Sequence, residues 1–488
     1  MLMGTPAARV ATATKSTPDT NLLRRKQISV GVGIVILIAA CLVPPMWGLK
    51  ITAIRTLGVI VTTVFWWVTE AIPAPVSGLL VPVLLHITHA VPFNKIAAQS
   101  FGDPFVPFMI GCLALSVPFS QSGLGKRTTY MILGVAGNKV SRVIGIFFWI
   151  SFCHFITDAA VVAVMFPVAL SVCKAAGAEP RKSNFGICMM FAITFGAVIG
   201  GMATPSGVPA NVIAVSFMEK GPGLTVSFLH WMMYCTPIAV ASGVFCLWLI
   251  KKMFPPEMEY LPFGPEVIKR ELAEMGPWSR QEKIVLVVFV VTAALWMTGE
   301  YTKVPIAVVS LLMIGLLTLP GFDACKKGWK EIERGLEWGS IMLMIGGFAM
   351  GVAALESGLA SWLAQHALQP LAKLPMIMQP FLITLLVAID SLGFASFTAA
   401  ASVNVPLVMA YAQANHMPIA AMTMAAALAS SAHFIVVTES ICFVICYAAG
   451  YYTFKDLFKV GTITTVACAL FIALGLTLFG MPAGVPIR

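Results

Sequence analysis

Residues 200–211 read Gly-Gly-Met-Ala-Thr-Pro-Ser-Gly-Val-Pro-Ala-Asn, inside an otherwise apolar block that extends from about 185 to 218. Proline removes a helical hydrogen bond and clashes with the preceding turn, and glycine is a poor helix former. With two prolines and three glycines in twelve residues, the segment is predicted to unwind midway. Backbone unwound at bilayer depth needs protein or a wet cavity beside it. Its freed carbonyls suit a cation, and the amides and positive dipole end of the next half-helix suit an anion. Gly200, Thr204, Ser206 and Asn211 are the candidate ligands there; a Pro/Gly kink without a ligand is the alternative.

The rest of the chain supplies the membrane context. Of 488 residues, 59% are apolar and 11% charged, against about 45–50% and 25% in ordinary soluble domains. Apolar blocks of bilayer length lie near 28–47, 51–69, 72–91, 143–173, 185–218 and 224–250, and again near 284–298, 303–320, 376–389, 391–413, 417–436, 437–450 and 460–481. A span needs about 20 helical residues, so the chain reads as an all-α polytopic membrane protein with about 11 transmembrane helices. The net charge of +10 sits mainly in polar connections, as in membrane proteins generally, and gives no nucleic-acid footprint.

Arg9, Lys15, Arg24, Arg25 and Lys26 precede the first block, which places a tail of residues 1–27 in the cytoplasm. The block itself is too long for a signal-peptide core. Residues 251–283 form a polar linker with six basic and six acidic side chains. Its Glu266–Glu274 stretch suits an amphipathic helix at the cytoplasmic surface. The linker separates a first unit, 28–250, from a second, 284–481, and residues 482–488 form a C-terminal tail.

The two units resemble each other. Gln121-Ser-Gly-Leu-Gly-Lys126 and Glu356-Ser-Gly-Leu359 each follow an apolar block, with Gly123 and Gly358 lying 235 residues apart. Thr157…Pro167 matches Ser396…Pro406 at an offset of 239, and Trp67…Pro75 matches Trp296…Pro305. An odd number of crossings per unit would insert the two in opposite senses, a plan that recurs in secondary transporters. The Ser-Gly-Leu turns are expected to close re-entrant helical hairpins near 105–137 and 338–372.

Enzyme motifs are missing. The nearest approach to a P-loop, Gly123-Leu-Gly-Lys-Arg-Thr128, has Ser120 where the motif requires glycine. Neither H-E-x-x-H nor G-x-S-x-G occurs. Eleven cysteines lie mostly in apolar segments without a C-x-x-C pair, which reads as packing rather than metal binding. No enzyme activity and no cofactor are expected.

Trp66-Trp-Val-Thr-Glu-Ala-Ile-Pro73, Gly200–Asn211, Met275-Gly-Pro-Trp-Ser-Arg-Gln-Glu-Lys283 and Glu337-Trp-Gly-Ser-Ile-Met-Leu-Met-Ile-Gly-Gly347 with Glu356-Ser-Gly-Leu359 together resemble the divalent anion:sodium symporter family. These are the di- and tricarboxylate transporters of the ion-transporter superfamily. The resemblance implies two re-entrant hairpins, a scaffold domain, a transport domain that moves like an elevator, and a homodimer in the bilayer. It also implies a Ser-Asn-Thr triplet in each half, contacting a carboxylate substrate and sodium. Aligned on Pro167 and Pro406, those triplets are here Thr157-Asp158-Ala159 and Ser396-Phe397-Thr398. A carboxylate and an aromatic ring replace the two asparagines. The second helix break, near 438–443, reads Thr-Glu-Ser-Ile-Cys-Phe without proline or glycine.

Thr157, Asp158, Thr204, Ser206, Asn211, Ser396, Phe397 and Thr398 are therefore expected at the substrate. Asp158, Gly200, Ala395 and Glu439 are expected at the coupling cation, with sodium at Asp158 and Gly200. An acid at the centre of a span costs about 2.5–3.5 kcal/mol on insertion scales, which makes Asp158 and Glu439 functional candidates; His154 and His433 read as packing residues. A carboxylate about 4 Å from a substrate carboxylate repels it by about 4 kcal/mol at an effective dielectric of 20. Asp158 must then be protonated, hold a cation, or meet a less charged substrate. The expected function is secondary active transport of a small organic anion, coupled to Na+ or H+, in a bacterial inner membrane. Anion exchange without a cation, a cation/proton antiporter and a membrane receptor are the rivals.

Overall fold

The computed structural model describes residues 20–46, 48–220, 226–263, 265–322, 324–325, 328–366, 371, 373–375, 378–394 and 396–480. Among them the ordered elements are helices, with one isolated backbone bridge between Lys139 and Tyr260. The first unit comprises α1 (Thr20–Leu42), α2 (Ile51–Thr69), α3 (Ala74–Ile87), α4 (Phe93–Ser100), α5 (Phe105–Gln121), α6 (Leu124–Ala136), α7 (Val140–Phe152), α8 (Asp158–Ala175), α9 (Asn184–Gly201), α10 (Pro209–Lys220) and α11 (Phe228–Met253). The linker carries α12 (Pro265–Glu274). The second unit comprises α13 (Arg280–Met297), α14 (Gly299–Thr302), α15 (Ile306–Thr318), α16 (Trp329–Gly335), α17 (Trp338–Glu356), α18 (Leu359–His366), α19 (Met378–Ser391), α20 (Phe397–Ala414), α21 (Ile419–Ala429), α22 (Ile441–Ala448) and α23 (Phe454–Gly475).

Seven of the described helices are long and apolar enough to cross a bilayer, or eight if α4 and α5, bent by 42°, form one span. The protein is an integral multi-pass membrane protein. Several expected blocks do not run through as single helices. The 143–173 block turns at 153–157, between α7 and α8, and the 185–218 block opens between α9 and α10 as its prolines and glycines require. A side chain on Gly200 would put its Cβ 2.2 Å from the Phe152 carbonyl oxygen, so only glycine lets the end of α9 approach the end of α7. The Asp158 amide then donates to the Gly207 carbonyl at 3.1 Å, tying the turn to the break.

The second unit repeats this plan. Residues 392–396 separate α19 from α20, and 430–440 separate α21 from α22. This break forms without proline or glycine. Its β-branched run, Ile435-Val-Val-Thr438, is a weak helix former, and side chains capture the freed amides. The Phe434 amide donates to Thr465 Oγ1 at 3.2 Å, while the Ile435 and Val436 amides donate to Glu439 at 3.2 and 3.0 Å. The two halves then interlock: α8 packs on α22, and α20 packs on α10. The tryptophan match also has a structural counterpart. Trp67 Nε1 donates to the Ala74 carbonyl at 3.2 Å and Trp296 Nε1 to the Ile306 carbonyl at 3.4 Å, each at the first residue of a following helix.

The hairpin boundaries expected near 105–137 and 338–372 differ from the interhelical turns between α7 and α8 and between α19 and α20. Gly123 and Gly358 do adopt the left-handed conformation, with φ of +87° and +80°, which favours glycine. The first of these turns, however, abuts the linker. Arg127 of α6 donates to Glu282 at 2.7 Å and to the carbonyls of Met275, Gly276 and Pro277 at 3.3, 2.9 and 3.2 Å. Meanwhile α17 is long enough to cross by itself, and its terminal Glu356 pairs with Lys95 at 2.6 Å, both partly exposed.

Candidate functional site

The starts of five helices surround one cavity of about 390 Å³. Asp158 and Ala159 open α8, Pro209 opens α10, Gly339 and Ser340 lie in the first turn of α17, Phe397 and Thr398 open α20, and Ile441 opens α22. The preceding residues Thr157, Glu337, Ser396 and Ser440 also line it. Thr157, Glu337 and Ser396 make no side-chain cap to their helices, although the Asp158 and Ala159 amides of α8 already donate to the Gly207 carbonyl and the Asp158 carboxylate, and the Trp338 and Ser340 amides of α17 to the carbonyls of Leu336 and Glu337. Each helix start carries roughly half a positive charge, and together they favour an anion.

The side-chain charges oppose this. No lysine or arginine is among the described residues lining the cavity, whereas Asp158, Glu337 and Glu439 are. Asp158 is buried, and its Oδ1 accepts the Ala159 amide at 2.8 Å. Glu337 accepts from Ser340 Oγ at 3.3 Å. Glu439 is 1% exposed and already engaged: Oε1 takes the Val436 amide, Oε2 takes the Ile435 amide, and Oε2 lies 3.3 Å from His433 Nδ1. Each Glu439 oxygen thus takes one amide, and the residue also lines the cavity.

Thr157, Asp158, Ser396, Phe397, Thr398 and Glu439 thus share one cavity although they come from two units. Thr204, Ser206 and Asn211 do not line it. They hold the first break: Ser206 Oγ donates to the Phe155 carbonyl at 3.0 Å, and Asn211 Nδ2 donates to the carbonyls of Gly201 and Thr204 at 2.9 and 2.8 Å. The Gly200 carbonyl accepts the Ala203 amide at 2.9 Å. Ala395 lies outside the described residues. Phe397 packs edge-on against His433, with ring centroids 5.0 Å apart. His154 Nδ1 and Nε2 lie 2.6 and 2.9 Å from the Ile156 and Ala197 carbonyls, and a neutral ring donates to one of these two acceptors.

Glu337, Ser340, Ser440 and His433 are the residues that sequence reasoning missed as parts of the site. Glu337 was signalled by an acid opening an apolar block; His433 had no signal beyond its own rarity. A second cavity, about 470 Å³, lies behind the 153–157 turn and is lined mainly by apolar groups such as Trp149, Phe155, Leu286 and Phe289. Its lining suits hydrocarbon rather than an anion. Among the described residues, no group of three His, Cys, Asp or Glu side chains is placed to hold a metal ion.

Similar proteins agree with this architecture. The chain is 28% identical over 396 residues to the sodium-dependent dicarboxylate transporter SdcS of Staphylococcus saprophyticus, covering 75% of each chain. It is 29% identical over 324 residues to SdcS of Staphylococcus aureus USA300, covering 62% of each. The Alcanivorax borkumensis YdaH transporter structure superimposes with a TM-score of 0.55 at 15% identity, covering 80% of this chain and 89% of that one. Neisseria gonorrhoeae MtrF, described among antimetabolite efflux pumps, gives 0.55 at 10% identity, covering 93% and 94%. These two likenesses concern the fold alone. The family described as the sodium:sulfate symporter transmembrane region matches residues 25–485, and the protein therefore belongs to that family, the divalent anion:sodium symporters.

Proposed function

We propose that the protein is a secondary active transporter of small carboxylates, coupled to a sodium or proton gradient. The observation that carries this reading is the single cavity where both triplets and five helix starts meet. Helix starts and the hydroxyls of Thr157, Ser396 and Thr398 hold the carboxylate. Asp158 and Glu337 repel it until a cation or proton offsets them, so Asp158 is the coupling residue. The dicarboxylate named for the SdcS relatives supports a substrate with two carboxylates. Phe397 narrows the pocket where the family keeps an amide. In this reading the turns before α8 and α20 are re-entrant tips that travel with the breaks as an elevator, in a homodimer, with the N-terminus in the cytoplasm of a bacterial inner membrane.

Thermal stabilisation of the purified protein tests the binding half of this proposal. Succinate is expected to raise the Tm in the presence of sodium or at acidic pH, and sulfate or cations alone less so. Stabilisation by cations with none by any carboxylate would favour the cation antiporter, the reading that the three cavity acids otherwise support.

A further inference from the structure

The second helix break contains its own ionisable pair. His433 and Glu439 are 0% and 1% exposed and 3.3 Å apart. His433 Nε2 lies 3.0 Å from the Ser430 carbonyl. A carbonyl only accepts, so Nε2 carries a hydrogen, and Nδ1 is the nitrogen that faces Glu439 Oε2. A neutral ring would place a lone pair 3.3 Å from a buried carboxylate oxygen, and Nδ1 makes no hydrogen bond. One proton held by the pair, whether counted on the ring or on the carboxyl, removes that repulsion and leaves the pair neutral.

The surroundings leave this proton without a nearby substitute. Phe397 of α20 covers the ring, while α23 offers Thr465 and the closely packed Gly461. Phe195 of α9 stacks on Phe434, the next residue. The titratable groups facing the pair's side of the cavity are Asp158 on α8, Glu337 at the start of α17 and Cys442 on α22; none is a cation. Glu439 itself lines the cavity, which gives the proton an aqueous route.

We propose that His433 and Glu439 form a proton-binding site built into the second break. The second half of the protein thereby contributes a proton to the transport cycle. This rests on the cavity being the transport site. Binding takes one proton from the cavity onto the pair and changes its charge from −1 to 0. Release leaves a buried carboxylate facing a lone pair and loosens the break. The asymmetry between the halves follows: the first break is shaped by glycine and proline, and the second is held closed by a titratable latch.

Recordings on solid-supported membranes separate this proposal from the transport reading. In the absence of substrate, a pH step is expected to displace charge in the wild-type protein. The displacement should fall in His433→Gln and in the double variant His433→Leu with Glu439→Leu, leaving only the share that Asp158 contributes. The double variant removes both charges and replaces them by apolar bulk, a change that buried pairs tolerate; whichever variant elutes as the wild type does is the test. With succinate present, one coupled proton multiplies the accumulation ratio about tenfold per unit of imposed pH gradient, and that factor should be lost in the same variants. Displacement of wild-type size in the folded variant would overturn the proton site. A His433-dependent displacement with no movement of any carboxylate would leave the proton site standing and sink the transport reading.

Discussion

At position 158 a carboxylate stands where the triplet implied by the resemblance has a neutral amide, among helix starts whose dipoles favour an anion. Asp158→Asn removes that opposition while conserving size. The variant is expected to bind succinate without sodium and at neutral pH, and the wild type to require a cation or acid; isothermal titration checks this, and an unchanged cation requirement would remove Asp158 from coupling. Phe397→Asn tests the other departure. Phe397 is buried against His433, so the truncation should cost about 3 kcal/mol of stability and shift preference toward longer dicarboxylates, read as KM ratios between succinate and a longer homologue. Both departures were legible in sequence because an acid or an aromatic ring in a polar triplet is conspicuous. His433 was not, since a single apolar-flanked histidine gives no hint of which side chain it will face. Thr204, Ser206 and Asn211 were legible as polar groups at a break; whether they turn inward to brace it or outward to a ligand depends on packing that spacing does not encode.

Among the elements, the ends of helices are fixed by a few buried polar contacts. The Arg127–Glu282 pair ties α6 to the linker, with side chains 5% and 2% exposed and three backbone carbonyls completing the arginine's bonds. Arg127→Ala leaves the carboxylate buried and unpaired, and should cost about 3–5 kcal/mol, seen as a fall in Tm. Glu257, in the loop after α11, caps α9 by accepting from the Ser183 hydroxyl and from the Phe185 amide at 2.9 Å. Burial pushes its carboxyl up, but the hydrogen bonds from Ser183 and the backbone amides outweigh this and hold it below the ordinary carboxylate range. A depressed value stabilises the fold above the unfolded carboxylate's pKa, about 4.3, and that contribution is lost as pH falls through the folded value. Glu257→Gln should therefore lower Tm at neutral pH and flatten its acid-side decline. The sequence made the first break plain through its prolines and glycines. The second break was obscured because Thr465 and Glu439, rather than breakers, stabilise its open amides. The Ser-Gly-Leu turns have the local chemistry of a tight turn; what sets apart the turns before α8 and α20 is that Thr157 and Ser396 line the shared cavity.

Over the whole molecule, the repeat supplies what neither half has alone. Each turn helix packs on the other half's post-break helix, and a cavity lined by both triplets results. The offset of 239 residues marks the repeat, but neither this cross-packing nor the opposition of three carboxylates to the helix starts, which arise only on assembly. Uptake of labelled succinate into proteoliposomes, with sodium and pH gradients imposed separately, tests the central claim most directly. Wild-type protein should accumulate succinate under at least one gradient. Thr157→Val and Thr398→Val, each losing a hydrogen bond to a charged group worth about 1.5–3 kcal/mol, should raise KM roughly tenfold or more with kcat little changed. Absence of carboxylate uptake under either gradient, or wild-type KM in both variants, would contradict the account.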